Sequence, residues 1–278
     1  MGDVDVRALR EKIENINALP TIPKVLKKIL GVIENPRISL NEISSFVAGD
    51  PALTTKVLKM VNSPIYGFPG RISSVNQAVI LLGLTVVKGL LLGVSVFELM
   101  QKTMVGLWEH SLSSAIVCRL IAKRKGLKEP DELSIDGLLH DIGKILLVLQ
   151  YPEEYEKAMY QSEQSGLTIY ESEKTYFNTT HASVGAWMAQ KWRFPPNLIE
   201  IIEYHHKPHL AKIAPVDSAV VHLADILVRA RGFGFAGDRF LMPVNPKAWE
   251  LLSLSESDIK EILLEAEDSV QMTEDLSL

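Results

Sequence analysis

The chain of 278 residues has a single cysteine, Cys118, so no disulfide can form within it. That fits a reducing compartment, and Cys118, inside SAIVCRL, reads as a small core residue rather than a nucleophile. A dominant charge is also lacking: 29 Lys+Arg stand against 34 Asp+Glu, a net of −5. This leaves no basic excess of the kind nucleic-acid binders usually show. The first fifteen residues, MGDVDVRALREKIEN, contain no apolar stretch of the secretory type. There is one long apolar run, Val79 to Phe97, 19 residues against the roughly 20 that cross a bilayer. Lys88 falls in its middle, and Gly83-Leu84-Thr85 reads as a helix stop followed by an N-cap. Two buried helices are therefore expected there rather than a span. Repeats of fixed period and low-complexity tracts are missing as well. The expectation is a cytoplasmic, globular protein with no membrane and no nucleic-acid partner.

What is present is helix punctuation. Hydrophobic residues make up 47% and charged residues 23%, a balance that supports a buried core. Pro23 is placed to open PKVLKKILGVIE, whose Val25, Leu26, Ile29, Leu30 and Ile33 share one helical face; Asn35-Pro36 closes it. Ser39 and Glu42 have capping-box spacing, as do Ser74 and Gln77. Asp50-Pro51 sets an N-cap acid before a proline, and Asn62-Ser63-Pro64 ends that helix. Asp50, Asn62 and Ser63 are thus explained by capping. Further helices are expected over Trp108–Lys125, Ser134–Gln150, Glu153–Ser165, Ser172–Trp192 and Pro196–His206. Period-two alternation is hard to find, so the fold class expected is all-α.

Charge and histidine divide the chain. Residues 1–100 hold 11 basic and 8 acidic residues; residues 101–278 hold 18 and 26, together with all seven histidines. The stretch from Ser255 is acidic and is expected to form a short helix, DIKEILLEAEDSV, with a solvated face and a frayed end. Three segments are expected: 1–100, a helical part; 101–232, a histidine-bearing core; and 233–278, a loop and acidic helix. The glycine-rich GFGFAGDRF reads as a loop near the site, and Tyr66, Phe68 and Pro69 as an apolar loop available to a protein partner.

The chemistry rests on His110, His140-Asp141, His181, His205-His206 and Asp225, spread over five segments. Imidazole and carboxylate donors suit divalent Zn, Mn, Fe, Ni or Co, and a helical bundle can bring such residues together. Adjacent residues on a helix point about 100° apart. His140 and Asp141 must therefore straddle an ion, or Asp141 must bridge two. Taken singly, His110, His181 or His222 reads as an ordinary half-buried histidine, and His209 as a loop residue. The pair inside LLHDIGKILL is different, because a buried ionisable pair needs partners. Lys144, one turn beyond His140, is either a phosphate-binding point charge or a surface lysine. Glu173 reads as an exposed helix residue, with orientation of a ligand histidine as the alternative. Lys191 and Arg193 read as surface residues.

GLLHDIGKILL resembles the signature of the HD superfamily of metal-dependent phosphohydrolases. The order His110, His140-Asp141, Asp225 is similar to its four-ligand pattern. More closely, the chain resembles HDOD domains of bacterial signalling proteins over about residues 8 to 230. The matching segments are LPTIPKVLKKIL (19–30), DPALTTKVLKMVNSPIYG (50–67), ISSVNQAVILLG (72–83), HASVGAWMAQKWRFPPNLIEIIEYHH (181–206) and HLADIL (222–227). The resemblance implies an N-terminal helical subdomain packed on an HD-like helical core. HD-GYP domains, which cleave cyclic di-GMP, are similar. From them the ligand roles carry over to His110, His140, Asp141, His181, His205, His206 and Asp225, with Lys144 as the motif lysine. HDOD domains often lack several of these residues, and this chain keeps them. It departs at Gly106, where some HD-GYP enzymes place a glutamate ligand, and after His206, where HHKPHLAKIAP replaces the GYP loop.

The resemblance therefore implies one or two divalent ions, and two functions. One is a regulatory HDOD module that meets a signalling protein. The other is a phosphohydrolase acting on a nucleotide or cyclic nucleotide phosphoester, with Asp141 and Lys144 as its catalytic residues.

Overall fold

The computed structural model describes residues 4–15, 24–35 and 37–273, and among these it contains helices and no strand. Pro23 and Pro36, expected to open and close the second helix, lie outside the described residues. The N-terminal helices follow their punctuation. Helix α1 (Val6–Glu14) is capped by the Asp5 carboxylate and buries Leu9 and Ile13. Helix α2 (Lys24–Ile33) buries Leu26, Ile29, Leu30 and Ile33, while Val25 faces solvent. Helix α3 (Leu40–Ala48) carries the complete Ser39/Glu42 capping box, and α4 (Pro51–Val61) starts with Asp50 accepting from the amides of Ala52 and Leu53. Asn62 does more than stop α4. Its amide brackets Ile72, accepting from the backbone N at 2.7 Å and donating to the carbonyl at 2.8 Å. Within the intervening loop Tyr66 is 3% exposed, which corrects its expected exposure, whereas Phe68 is half-buried and Pro69 is exposed.

Helix α5 (Val75–Thr103) contains the long apolar run and kinks at Gly83, whose φ of 81° and ψ of 169° lie outside the helical region. The glycine thus divides the run as expected. By length and composition the helix could cross a membrane, yet 61% of its most apolar window is buried within the protein. Gly89 and Gly93 show why. A Cβ at either would stand 2.2 Å from Ile135 or 2.6 Å from Leu138, so α5 lies against its neighbour too closely for any side chain.

The histidine-bearing core comprises α6 (Leu107–Lys125), α7 (Pro130–Leu139), α8 (Ile142–Gln150), α9 (Pro152–Ser165), α10 (Ile169–Phe177), α11 (His181–Lys191), α12 (Pro196–Tyr204) and α13 (Pro215–Arg231). Two expected helices are each broken in two. Ser134–Gln150 divides at His140-Asp141 into α7 and α8, and Ser172–Trp192 divides between α10 and α11. At the second break Asn178 adopts φ 52° and the Thr180 hydroxyl caps α11. Apolar periodicity continues across the first break, which hides it in the sequence; at the second the polar run NTTH (178–181) interrupts it. What breaks the helices is the polar pair or the capping threonine.

Residues 232–245 then run without a helix to α14 (Pro246–Leu252) and α15 (Glu256–Thr273). The acidic helix is longer than expected and packs on α6, burying Ile262 and Ala266; Arg124 of α6 pairs with Glu261 and Asp258. Its expected frayed end, 274–278, lies outside the described residues. Buried apolar side chains form one continuous core from Val4 to Ala266, and Cys118 is fully buried in it.

Candidate metal centre

Helix ends aim the ligand side chains. His140 is the C-cap of α7 and His205 the C-cap of α12. Each donates its Nδ1 proton to the carbonyl three residues back, Gly137 and Ile202, at 2.7 Å. Those are carbonyls that a helix end leaves without partners. The break before α8 places Asp141 in non-helical backbone, φ −97° and ψ 9°. The 100° offset of a continuous helix, used above, therefore does not apply to this pair. His110 stands in the first turn of α6, His181 opens α11 and Asp225 lies mid-way along α13.

The structure brings all seven predicted residues together, in two sets. His110, His140 and Asp225 form one; Asp141, His181, His205 and His206 form the other, with ligand atoms in each set within 4.8 Å of one another. Asp141 stands between them. Its Oδ2 lies 3.5 Å from His110 Nε2 and 3.4 Å from His140 Nε2, while Oδ1 lies 3.1 Å from His181 Nε2. Asp141 thus turns one oxygen toward each set. Every one of the seven is buried, and the most exposed, His206, is 7% accessible.

The residues fit a metal. Nδ1 of His140 and His205 is committed to a carbonyl, and Nδ1 of His181 to the Glu173 carboxylate at 2.7 Å. Their Nε2 lone pairs are then free and face other imidazoles: His110 and His140 at 3.3 Å, His181 and His206 at 2.9 Å, His181 and His205 at 3.4 Å. Ligands about 2.1 Å from a shared ion stand roughly 3.0 to 3.4 Å apart. Asp141 Oδ1, Asp225 Oδ1 and His206 Nδ1 are buried with no hydrogen-bond partner, and such groups are costly unless something satisfies them. A divalent ion accounts for both observations.

The electrostatics agree. Burial raises the Asp141 and Asp225 carboxyls, but neighbouring imidazoles override it and hold both well below the usual range, with Lys144 also acting on Asp141. Burial and adjacent imidazoles hold His205 and His206 far below the ordinary histidine value. His140 and His181 are lowered by burial, then raised overall by Asp141 and by Glu173 respectively. The carboxylates thus demand positive charge at the place where the imidazoles present lone pairs.

Lys144 is buried, 1% exposed, with Nζ 2.5 Å from Asp141 Oδ2, and is not a surface lysine. Glu173 corrects its expected exposure. It is completely buried, accepts from both the backbone N and Nδ1 of His181, and takes the Tyr155 hydroxyl at 2.9 Å. It orients the ligand and fixes its tautomer. Nothing in its spacing distinguishes it from Glu171 or Lys174 in the sequence. His222 is no member of either set. It donates Nδ1–H to the His205 carbonyl at 2.7 Å and accepts from the Asn245 amide. His209, expected in a loop, sits in the short 3-10 helix Pro208–Leu210 after the histidine pair and contacts Asn245. Lys191 and Arg193 stand at the far end of α11, away from both sets.

The loop over residues 232–240 closes the centre. Gly234 lies against the His110 amide, where a Cβ would stand 2.3 Å away, and Phe235 N donates to the Gly106 carbonyl. Gly106 has φ 92°, and a Cβ there would meet Phe235 at 2.8 Å. A glutamate therefore cannot occupy that position without displacing the loop. Asp238 accepts from the first amide of α10, at Ile169, and pairs with Arg229.

Comparison with known proteins places this arrangement. Residues 19–208 match the HDOD domain family, and the chain belongs to it. An uncharacterized protein of Treponema pallidum is 29% identical over 221 residues, 78% of this chain; the chain spans 43% of that relative's length. The crystal structure of an HDOD domain protein from Geobacter sulfurreducens superposes with a TM-score of 0.69 at 27% identity, covering 96% of this chain and 97% of that one. A candidate signal transduction protein from Marinobacter aquaeolei gives 0.72 at 19% identity, over 99% of this chain and 66% of that one, a likeness of fold.

Proposed function

We propose that the chain is a bacterial, cytoplasmic HDOD signal-transduction module built around a divalent transition-metal centre, which relays a signal to a protein partner. His110, His140 and Asp225 would hold one ion, and His181, His205 and His206 another, with Asp141 between them. The observation that carries this reading is the convergence of seven buried donors, three of which keep a buried polar atom with no hydrogen-bond partner. The regulatory form is favoured because HHKPHLAKIAP stands where HD-GYP enzymes carry the GYP loop.

Retention of the full donor set, with Lys144 buried against Asp141, favours a second reading, a phosphohydrolase acting on a nucleotide or cyclic nucleotide phosphoester. A bound ion would supply an activated water and neutralise phosphoryl charge. Lys144 and Asp141 would then hold phosphate and water respectively. Protein loaded with Mn or Fe, its metal content verified, separates the two against a panel of nucleotides and cyclic dinucleotides. The module predicts metal without turnover; hydrolysis that disappears in Asp141→Ala would establish the enzyme.

A further inference from the structure

A cavity of about 430 Å³ lies between the end of α5, the start of α6, the turn at 232–234 and the last turns of α15. Its volume is that of a small-molecule site. Phe97, Leu112, Phe233 and Val270 form apolar walls, and the Phe97 and Trp108 rings meet edge to face with centroids 4.9 Å apart. Trp108 is 3% exposed and Ser113 2%. No hydrogen bond reaches the Trp108 indole N–H or the Ser113 hydroxyl from the described residues, and neither is among the fully enclosed polar atoms, so both open onto the cavity they line. A few polar groups of this kind among apolar walls are what orients a bound molecule. At the mouth the Glu109 carboxylate accepts from the Gln101 amide at 2.9 Å and keeps lone pairs for further donors. Glu109 is the one charged group among the described lining residues. Cations at the borders are engaged: Lys56, stacked on Phe97, pairs with Glu98, and Arg231, next to Gly232, pairs with Glu267. The cavity thus offers apolar walls, two inner hydrogen-bonding groups and one outer negative charge, and nothing that would neutralise an anion.

We infer that this cavity binds a small aromatic amine with a hydroxyl on its ring. The ring fits among the aromatic walls, where faces and edges of Phe97, Trp108 and Phe233 meet it. A hydroxyl can accept from the Trp108 N–H and donate to Ser113, and the ammonium is the partner that Glu109 calls for. Such a site goes beyond the function proposed above and stands without the metal centre.

Tyramine is the probe, titrated into the isotope-labelled full chain while NMR follows the indole N–H signals of its four tryptophans. The Trp108 signal is the one lost in Trp108→Phe. The expected result is a saturable shift of that signal alone, with a Kd of about 1 mM or tighter for a probe of this size. Tyrosol, with a hydroxyl in place of the ammonium, should bind about tenfold more weakly, and para-hydroxyphenylacetate, an anion, should not bind. Glu109→Gln should cost tyramine the same factor of about ten and leave tyrosol unchanged. Val270→Trp, which fills the cavity from a half-buried position, should abolish binding of both. Glu153→Gln, an exposed acid on α9, should change nothing. A Trp108 signal that stays still up to the solubility limit, or that moves together with those of Trp187, Trp192 and Trp249, overturns the inference. So does a Glu109→Gln protein that holds tyramine as the parent does.

Discussion

Gly143 is where the metal centre depends most on close packing. It lies in the first turn of α8, two residues after Asp141, and faces the first turn of α11. A Cβ added there would stand 2.0 Å from the His181 carbonyl oxygen, 2.9 Å from its carbon and 2.6 Å from the Gly185 amide nitrogen. All three are backbone atoms, which cannot rotate aside. Ordinary contact begins at 3.4 Å, so Gly143→Ala must drive α8 from α11 by about 1.4 Å. Overpacking of this kind costs typically about 1–3 kcal/mol, and the upper end applies where backbone meets backbone. For a chain of this size, about 3 kcal/mol is a fall of roughly 6–12 °C in Tm. The same displacement pulls His181 from Asp141, and metal sites tolerate only about 0.2 Å. Metal content should therefore fall along with Tm. Gly31→Ala is the control. It lies in α2 with no atom within 4 Å of the added carbon, and should gain about 0.5–1 kcal/mol. Scanning calorimetry and elemental analysis of both variants decide the matter. A Gly143→Ala protein that melts with the parent and holds its metal would refute the argument.

Two further outcomes follow from the site. Glu173→Gln keeps the shape but removes the charge that His181 leans on; it should fold and lose about 10- to 100-fold in metal affinity by chelator competition, and unchanged affinity would remove Glu173 from the site. Acid should act unequally on loaded and stripped protein. Coordinated imidazoles are held unprotonated, so their stabilisation is present above about pH 6.5 and is lost as pH falls below it. In stripped protein His110, His205 and His206 are lowered and act in the same sense, but His140 and His181 are raised and oppose them. Tm should therefore fall more steeply from pH 7 to 5 with metal than with chelator, and equal slopes would contradict coordination.

The ligands were legible because their chemistry is discrete. The histidine pair and the His-Asp pair in apolar surroundings need partners, and prolines and capping boxes marked the starts of α3, α4 and α5. Less visible was what acts through geometry alone. The break at His140-Asp141 interrupts a run whose apolar period continues on both sides, whereas Asn178 opens the polar run NTTH, a signal the sequence does carry. Glu173 is one acid among several on α10, and becomes an orienting residue only because α11 starts beside it. The burial of Tyr66 depends on Asn62 reaching across ten residues to Ile72. The loop at 232–240 packs on Gly106, His110 and Ile169, between 69 and 129 positions away, which no local pattern records.

Element-specific anomalous diffraction from crystals of the metal-loaded chain tests the central claim most directly. A peak beside the Asp141 carboxylate, within the set of His110, His140 and Asp225 or that of His181, His205 and His206, is the predicted result. Metal-saturated crystals with no peak at either set would contradict it.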